Sequence, residues 1–406
     1  MAIAQGGKKT VALKIQTDLG AQASGAGGQI IRRESSVSKL SIDSFDNNEI
    51  NSHQQSTGKN HGLRKVDFSL SGVLSPGTYS KMIASVMRKS FVAPTSLAAK
   101  SIVFGGTKGA YTLTSTGLLI SGGFKIGDVI RVSVMGTSVA DILNKNLLIT
   151  NITDTVITVR TLNSSTITVS VTAIAGCTII LAGKKCIVPL TNHTKDYWTI
   201  EDWQSDLSFS EVFKDVVLGK IDIGLPATGN ATIQISGAGT DRTKGAVQVL
   251  TNPTAETTTL PLSGVNGILL VDGAIVSNVT SINLSIDGKV SSMGAVIGST
   301  VSPDIQRGVI SVDGTFTALW EGVSLQTAFE GNNSVNLVAV IQNDDTESSD
   351  FITFSMSSIQ INSDDKDDGD KGVVRTYAFN ARINPSGSGA LANDNTIISI
   401  QDSKAA

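Results

Sequence analysis

The sequence predicts a mainly β protein with two tandem β-barrel or sandwich domains, each with one helix, and a small inserted β domain. Through most of the 406 residues, apolar side chains alternate with Ser, Thr or charged side chains, as over residues 156–159 and 167–171. This period of two is typical of strands with one buried face. Only two segments have helical spacing, and the order of strands around the first recurs around the second.

Each predicted helix directly follows a strand. The first spans residues 76–89 and has proline at its start, a position that tolerates the missing N–H. Its apolar side chains recur on one face, namely Tyr79, Ile83, Val86 and Met87. The second helix is predicted over residues 323–329.

The two helices occupy matching places in an internal duplication. The sequence Leu-Ser-Ile-Asp stands at residues 40–43 and again at 284–287. Each copy is followed by a polar loop and by a strand ending near Gly72 or Gly314. Downstream, residues 219–223 and 231–235 match residues 357–361 and 373–377. Such order at a fixed spacing indicates two copies of one domain.

One block has no counterpart in the second half, and it sets the predicted domain boundaries. Residues 1–96 and 191–245 form the first domain, and residues 97–190 form the inserted β domain. Residues 246–263 are predicted as a Thr- and Pro-rich linker, and residues 264–406 form the second domain. Without the insert, each unit has about 150 residues, a common size for one domain.

The sequence predicts no catalytic, cofactor or metal site. Cys177 and Cys186 read as buried thiols, and the sequence lacks a nucleophile elbow or phosphate loop. The run over residues 364–371 fails as a calcium loop because Lys366 and Arg375 would occupy ligand positions. We interpret it as a solvated acidic loop between two strands, containing Asp364, Asp365, Asp367, Asp368 and Asp370.

The composition argues against several classes of binding partner. The formal net charge is -3, so the chain lacks the basic excess that gives DNA binders their affinity. Aromatic residues make up only 5%, which argues against a carbohydrate cleft or a base-stacking platform. Neither a signal peptide nor a membrane anchor is evident, so we expect the protein to remain in the cytoplasm until it assembles.

Several segments, taken in order, resemble the tail tube proteins of bacteriophages with long non-contractile tails. They lie at residues 48–50, 62–65, 72–79, 197–201, 302–305, 365–372 and 396–403. The resemblance covers nearly the whole chain outside the insert. It implies two tail-tube-type domains whose strands join those of neighbouring chains to line a ring, and rings that stack into a tube.

The resemblance also implies partners and a place of action. The chain would associate with itself, with the tape measure protein and with tail terminator and tip proteins. Assembly would occur in the host cytoplasm, and DNA would pass through the tube of the virion tail during ejection without specific binding. Two tube domains in one chain predict a ring of three chains with pseudo-sixfold symmetry, with a hexamer as the alternative. An acidic lumen would let DNA slide, and the insert would project outward because it would otherwise block the bore.

Two polar loops are candidates for contact between rings. The first lies within residues 45–62 and contains Asn47, Asn48, Glu49, Ile50 and Asn51. Its counterpart, within residues 293–307, contains Ser302, Pro303 and Asp304. Long polar loops in compact domains are often functional, although a merely flexible loop is the alternative.

Two other functions stay open at this point. A bacterial surface adhesin with immunoglobulin-like modules would share the Thr- and Val-rich strands. A tail-associated polysaccharide depolymerase would need paired carboxylates in an aromatic cleft.

Overall fold

The computed structural model describes most of the chain and bears out the predicted fold class. It covers residues 3–50, 52–55, 58–93, 95–115, 119, 122–134, 140–276, 278–320, 322, 324–367, 372–387 and 391–406. Within them lie 25 strands and two α-helices.

The elements follow one another in two similar series, the first of which is interrupted by a barrel. The first series begins with β1 (Lys9–Ile15), β2 (Gln29–Ile30), β3 (Ser35–Asp46), β4 (Lys59–Val73) and α1 (Ser80–Met87). The barrel consists of β5 (Ser96–Thr107), β6 (Ala110–Ser115), β7 (Val129–Val134), β8 (Leu147–Ile152), β9 (Val156–Thr161) and β10 (Ser170–Leu181). After β11 (Lys184–Ile187), the first series continues with β12 (Trp198–Gln204), β13 (Phe209–Pro226), β14 (Thr232–Gly239) and β15 (Asp241–Gly245).

The second series repeats the first without a barrel. Its elements are β16 (Ser263–Val271), β17 (Ala274–Ile275), β18 (Val279–Asp287), β19 (Ser291–Ser292), β20 (Ile305–Gln306), β21 (Ser311–Leu319), α2 (Ser324–Glu330), β22 (Val335–Gln342), β23 (Phe351–Asp367), β24 (Val374–Ala381) and β25 (Ser399–Asp402).

Strand pairing reveals the same topology in both halves. In the first half the neighbours run β3, β4, β14, β13, and in the second they run β18, β21, β24, β23. Likewise β1 pairs with β12 and β16 pairs with β22, and α1 and α2 each contact the long strand of their own half. Seven elements, six strands and one helix, therefore recur in one order. The residue boundaries of the predicted domains and linker stay a prediction.

The registers correct the residue alignment of this duplication. Leu284 stands opposite Gly314 in its hairpin, whereas Leu40 stands opposite Val66, six residues from Gly72. The repeated Leu-Ser-Ile-Asp and the paired glycines therefore cannot both be equivalent. The sequence located the matching elements but not the matching residues, because a short motif fixes no cross-strand register.

The first helix is shorter than predicted. It begins at Ser80 because residues 75–78 form a turn, in which Gly77 has a φ of +76° and donates its N–H to the Asp402 carboxylate at 2.8 Å. It ends at Met87 because Arg88 adopts a left-handed conformation, φ 60°, with its N–H directed at the Ala84 and Ser85 carbonyls. The second helix begins at Ser324, one residue from the predicted start, which lies outside the described residues.

The barrel packs on one side of the molecule, against strand β22, whose other face contacts the main core. In β22, Leu337, Ala339 and Ile341 face the main core, whereas Val338 and Val340 face the barrel and contribute to a second apolar cluster with its Val129 and Leu148. Alternation along one strand thus serves two cores. The barrel lies on the face of the sheet of β16, β22 and the first part of β23 that points away from the main core.

Buried polar contacts fix the barrel to the second half. The Gln401 amide donates to the carbonyls of Val129 at 2.7 Å and Ala182 at 2.6 Å, and its oxygen accepts the Val129 N–H at 2.8 Å. Nearby, Lys185 Nζ lies 2.5 Å from both an Asp128 oxygen and an Asp394 oxygen. Burial raises the pKa of Asp128, and the ammonium of Lys185 opposes that rise. These contacts make the barrel a packed part of the protein.

Candidate assembly surface

A single sheet of eight strands crosses the boundary between the two halves. The junction is formed by β13 and β18, which pair antiparallel from Lys220 opposite Asp287 to Pro226 opposite Ser281. The resulting order is β3, β4, β14, β13, β18, β21, β24, β23. The two four-stranded units thus join edge to edge within one chain.

Both outer edges of this sheet lack a partner strand within the described ranges. In the described part of the chain, β3 pairs only with β4. Strand β23 pairs with β22 as far as Ile359, and beyond that residue its only partner among the described residues is β24. These edges correspond by topology to the two strands that meet at the junction, because β23 matches β13 and β3 matches β18. Unpaired strand edges are templates for another chain.

One face of the eight-stranded sheet is polar. In β4, Val66, Phe68 and Leu70 are buried in the core, so Lys65 and Asp67 lie on the opposite face. Elsewhere on that face, Ser, Thr, Asn and Gln side chains predominate, and an open groove of about 700 Å³ crosses it. Its charged side chains on the paired strands are Lys39, Lys65, Lys220, Asp43, Asp67, Asp222, Asp287, Asp313, Asp365 and Asp367. Carboxylates therefore outnumber ammonium groups on this face.

The acidic segment is a strand through Asp367, so the prediction of a loop over Asp364, Asp365 and Asp367 is wrong. Strand β23 continues to Asp367 because it pairs with residues 374–381 of β24. Asp364 forms an ion pair with Arg375, and both side chains are largely buried. Asp365 and Asp367 lie on the polar face, whereas Asp368 and Asp370 fall outside the described residues.

The first predicted stacking loop is exposed. Asn47, Asn48, Glu49 and Ile50 have no regular structure, and Asn51 falls outside the described residues. The Asn47 side chain accepts the Glu49 N–H at 3.1 Å, which forms a local turn. Ile50 is fully exposed, an unusual position for an isoleucine. This loop joins β3 to β4 at one end of the polar face.

The second predicted stacking loop has its named residues at the base rather than the tip. Ser302 is buried, and Asp304 contacts Lys195 Nζ at 2.6 Å and the Tyr197 hydroxyl at 2.9 Å. Burial opposes ionisation of Asp304, but these donors and the Ile305 N–H outweigh it and lower its pKa. Asp304 therefore attaches the base of the loop to the first half. Its exposed tip is formed by residues 293–298, with Ile297 fully exposed.

Among the described residues, no cluster of three or more His, Cys, Asp or Glu side chains is placed to hold a metal ion. No helix in the same residues is long and apolar enough to cross a membrane. Cys177 and Cys186 are free and buried. Burial raises the pKa of the Cys186 thiol to about 12, so this thiol is not activated.

The described fold and surfaces define a β-sheet scaffold protein with two unpaired strand edges. The model of a phage tail tube protein family matches residues 6–381, and the chain belongs to that family. It is thus a structural component of a bacteriophage virion tail. Comparison with curated proteins finds no match. The family match favours the tube over the adhesin and depolymerase alternatives.

Proposed function

We propose that three copies of this chain close a ring of the tail tube by pairing β3 of one copy with β23 of the next. The observation that carries the proposal is the junction between β13 and β18, which is an example of the same joint within one chain. Opposite charges on the paired strands support this ring closure, since Lys220 of β13 stands opposite Asp287 of β18 at the internal junction. On the open edges, Lys39 lies on β3 and Asp365 and Asp367 lie on β23.

The dimensions suit a DNA conduit. Three copies of the eight strands give a wall of about 24 strands, and closure removes both open edges. With a strand spacing of about 4.8 Å and a tilt of about 40°, the backbone diameter is roughly 50 Å. Side chains narrow this bore but leave room for a duplex. The ring would be trimeric and pseudo-sixfold.

The polar face would line the bore. Its opposite face is buried against the core, and the barrel lies beyond the second layer of strands. The excess of aspartates would repel phosphates and reduce friction on passing DNA. The same layering supports a barrel on the outer surface of the tube. We further propose that the two exposed loops contact the adjacent ring, and that the tube meets the tape measure, terminator and tip proteins of a long non-contractile tail.

Electron microscopy of the purified full-length protein, combined with native mass spectrometry, tests this function. We expect tubes of uniform width with an open bore, and rings whose mass equals three chains. Rings of six chains would refute the trimeric closure while leaving a tube. Protein that stays monomeric at high concentration under assembly conditions would refute ring closure altogether.

A further inference from the structure

An exposed apolar pocket lies at the end of the second half that is opposite the loop tips. It has a volume of about 360 Å³ and is lined by Ile275, Leu319, Trp320 and Leu325, among others. This is about twelve times the share of one water molecule in the liquid, roughly 30 Å³. Ile275, Leu319 and Trp320 are each at least 40% exposed. A contiguous patch of large apolar side chains at a rim is a mark of an interaction site.

The ring of Trp320 is held in place at the rim of this pocket. Its indole N–H donates to the Gly322 carbonyl at 2.8 Å, and the Arg375 guanidinium lies 4.7 Å from the ring centroid. Arg375 is itself fixed by its ion pair with Asp364. An aromatic side chain oriented in this way presents apolar surface without losing much conformational entropy on binding.

The first half has an equivalent pocket, but segments of its own chain complete it. That pocket is smaller, about 210 Å³, and lies between β1, α1 and Trp198 of β12. Thr257, Thr259, Lys404 and Ala406 form part of its wall. Thr259 is fixed there by a hydrogen bond of 2.8 Å to the Pro76 carbonyl. No described segment of the chain covers the Trp320 pocket in this way.

The apolar tips of the two loops lie at the other end of the same strands. Ile50 precedes β4, and residues 293–298 precede β21, whereas the pockets follow the ends of these strands. Strand β21 has nine residues, so its ends are about 27 Å apart. Strands β4 and β21 are separated by an odd number of antiparallel neighbours and run in the same direction. Both tips therefore point to one end of the subunit, and the pocket opens at the other.

We infer that the Trp320 pocket receives the isoleucine tip of a loop, Ile50 or Ile297, from a second copy of this chain in the adjacent ring. Complementary surfaces at opposite ends of one subunit form head-to-tail contacts that propagate as a filament. Three such pockets per ring would be filled from one side. This inference rests on the proposed ring and identifies the receptor for its stacking loops.

Cysteine cross-linking of assembled tubes tests the contact directly. Two variants of the full chain carry Ile275→Cys together with either Ile297→Cys or Ile50→Cys. The native thiols are buried and give little background. We expect mild oxidation of tubes to give a ladder of covalently linked chains on a non-reducing gel for at least one of the pairs. The tip that links identifies the rotation between rings. The matched control pairs each tip with Val265→Cys, which is exposed but lies outside the pocket.

A truncation separates stacking from ring closure. Trp320→Ala should leave trimeric rings intact and raise the concentration needed for tube growth by about tenfold or more, as for a central aromatic contact. Phe329→Ala removes a partly exposed apolar side chain outside the pocket and should change neither property. If tubes form but neither cysteine pair links and Trp320→Ala elongates normally, the pocket assignment is wrong while the ring stands. If the wild-type protein forms no rings, the proposed function itself fails.

Discussion

Charge reversal at the β3 edge is the most informative test of ring closure. Lys39 lies in the middle of β3, on the polar face, with Asp67 opposite it on the paired strand β4. Its other neighbour would be β23 of the next chain, whose polar face carries Asp365 and Asp367. The substitution Lys39→Asp places a carboxylate beside the carboxylates of that strand.

The strand pairing sets the size of the expected loss in ring stability. A cross-strand pair of opposite charges contributes roughly 0.2–1 kcal/mol, and like charges destabilise by a similar amount. Reversal thus changes each seam by about 0.4–2 kcal/mol. A closed ring of three chains contains three such seams, so its formation weakens by about 1–6 kcal/mol, or roughly 10-fold to 10⁴-fold. Because the pair is exposed, added salt should reduce the difference.

Sedimentation velocity over a range of concentrations measures this loss as a shift from rings to monomers. Thermal unfolding of the same samples shows whether the fold survives. The control Lys108→Asp reverses a charge on the exposed β5–β6 turn of the barrel and should leave rings unchanged. Adding Asp365→Lys and Asp367→Lys to Lys39→Asp should restore rings. Wild-type ring formation by Lys39→Asp at low salt would refute the proposed seam.

Three further predictions concern stability. Gln401→Ala should weaken attachment of the barrel by about 1–3 kcal/mol, because it leaves the buried Val129 N–H without its acceptor. We expect faster amide hydrogen exchange in β7, and unchanged exchange would contradict the prediction. Burial raises the pKa of Asp402 to about 6, above its ordinary value near 4. Ionisation of Asp402 therefore lowers the free energy of unfolding by up to about 3 kcal/mol above pH 6, and this loss is absent below pH 4. The stability of Asp402→Asn relative to the wild type should therefore decrease as the pH falls from 7 to 4, whereas a constant difference in urea midpoint would contradict the assignment. Gly314→Ala would place a Cβ 2.5 Å from the Phe379 ring and 2.6 Å from the Asn283 carbonyl oxygen. This clash should lower the free energy of unfolding by about 1–3 kcal/mol. Gly7→Ala is the control, because no atom lies within 4 Å of the added Cβ.

The elements that the sequence predicted well are those decided by local pattern. Period-two alternation identified the strands because each has one buried face, as in residues 65–71 of β4. The second helix was located within one residue of its start, because its apolar spacing is local information. The first helix was placed too early since Pro76 marks a turn whose geometry depends on Asp402, a residue distant in the chain.

The candidate assembly surface was predicted only in part. Sequence pattern located both loops and Ile50, but it named Ser302, which is buried, and Asp304, which is partly buried and bound to Lys195. The polar side chain of Asp304 binds Lys195 and Tyr197 of the same chain. Similarly, the run of aspartates read as a loop because charged residues have little tendency to form strands, and the pairing with β24 overrides that tendency.

The sequence alone determined that this is a β protein with two copies of one domain and an insert. The alternation of apolar and polar residues and the repeated order of elements are both visible in the linear sequence. Tertiary structure alone decided that β13 and β18 join the two copies into one sheet. It also decided that the outer edges of β3 and β23 have no partner strand in the part of the chain that the structure describes. It also decided which aspartates share the polar face. The physical reason is that register and edge pairing are set by contacts between residues far apart in sequence, whereas alternation is set by each strand's own burial.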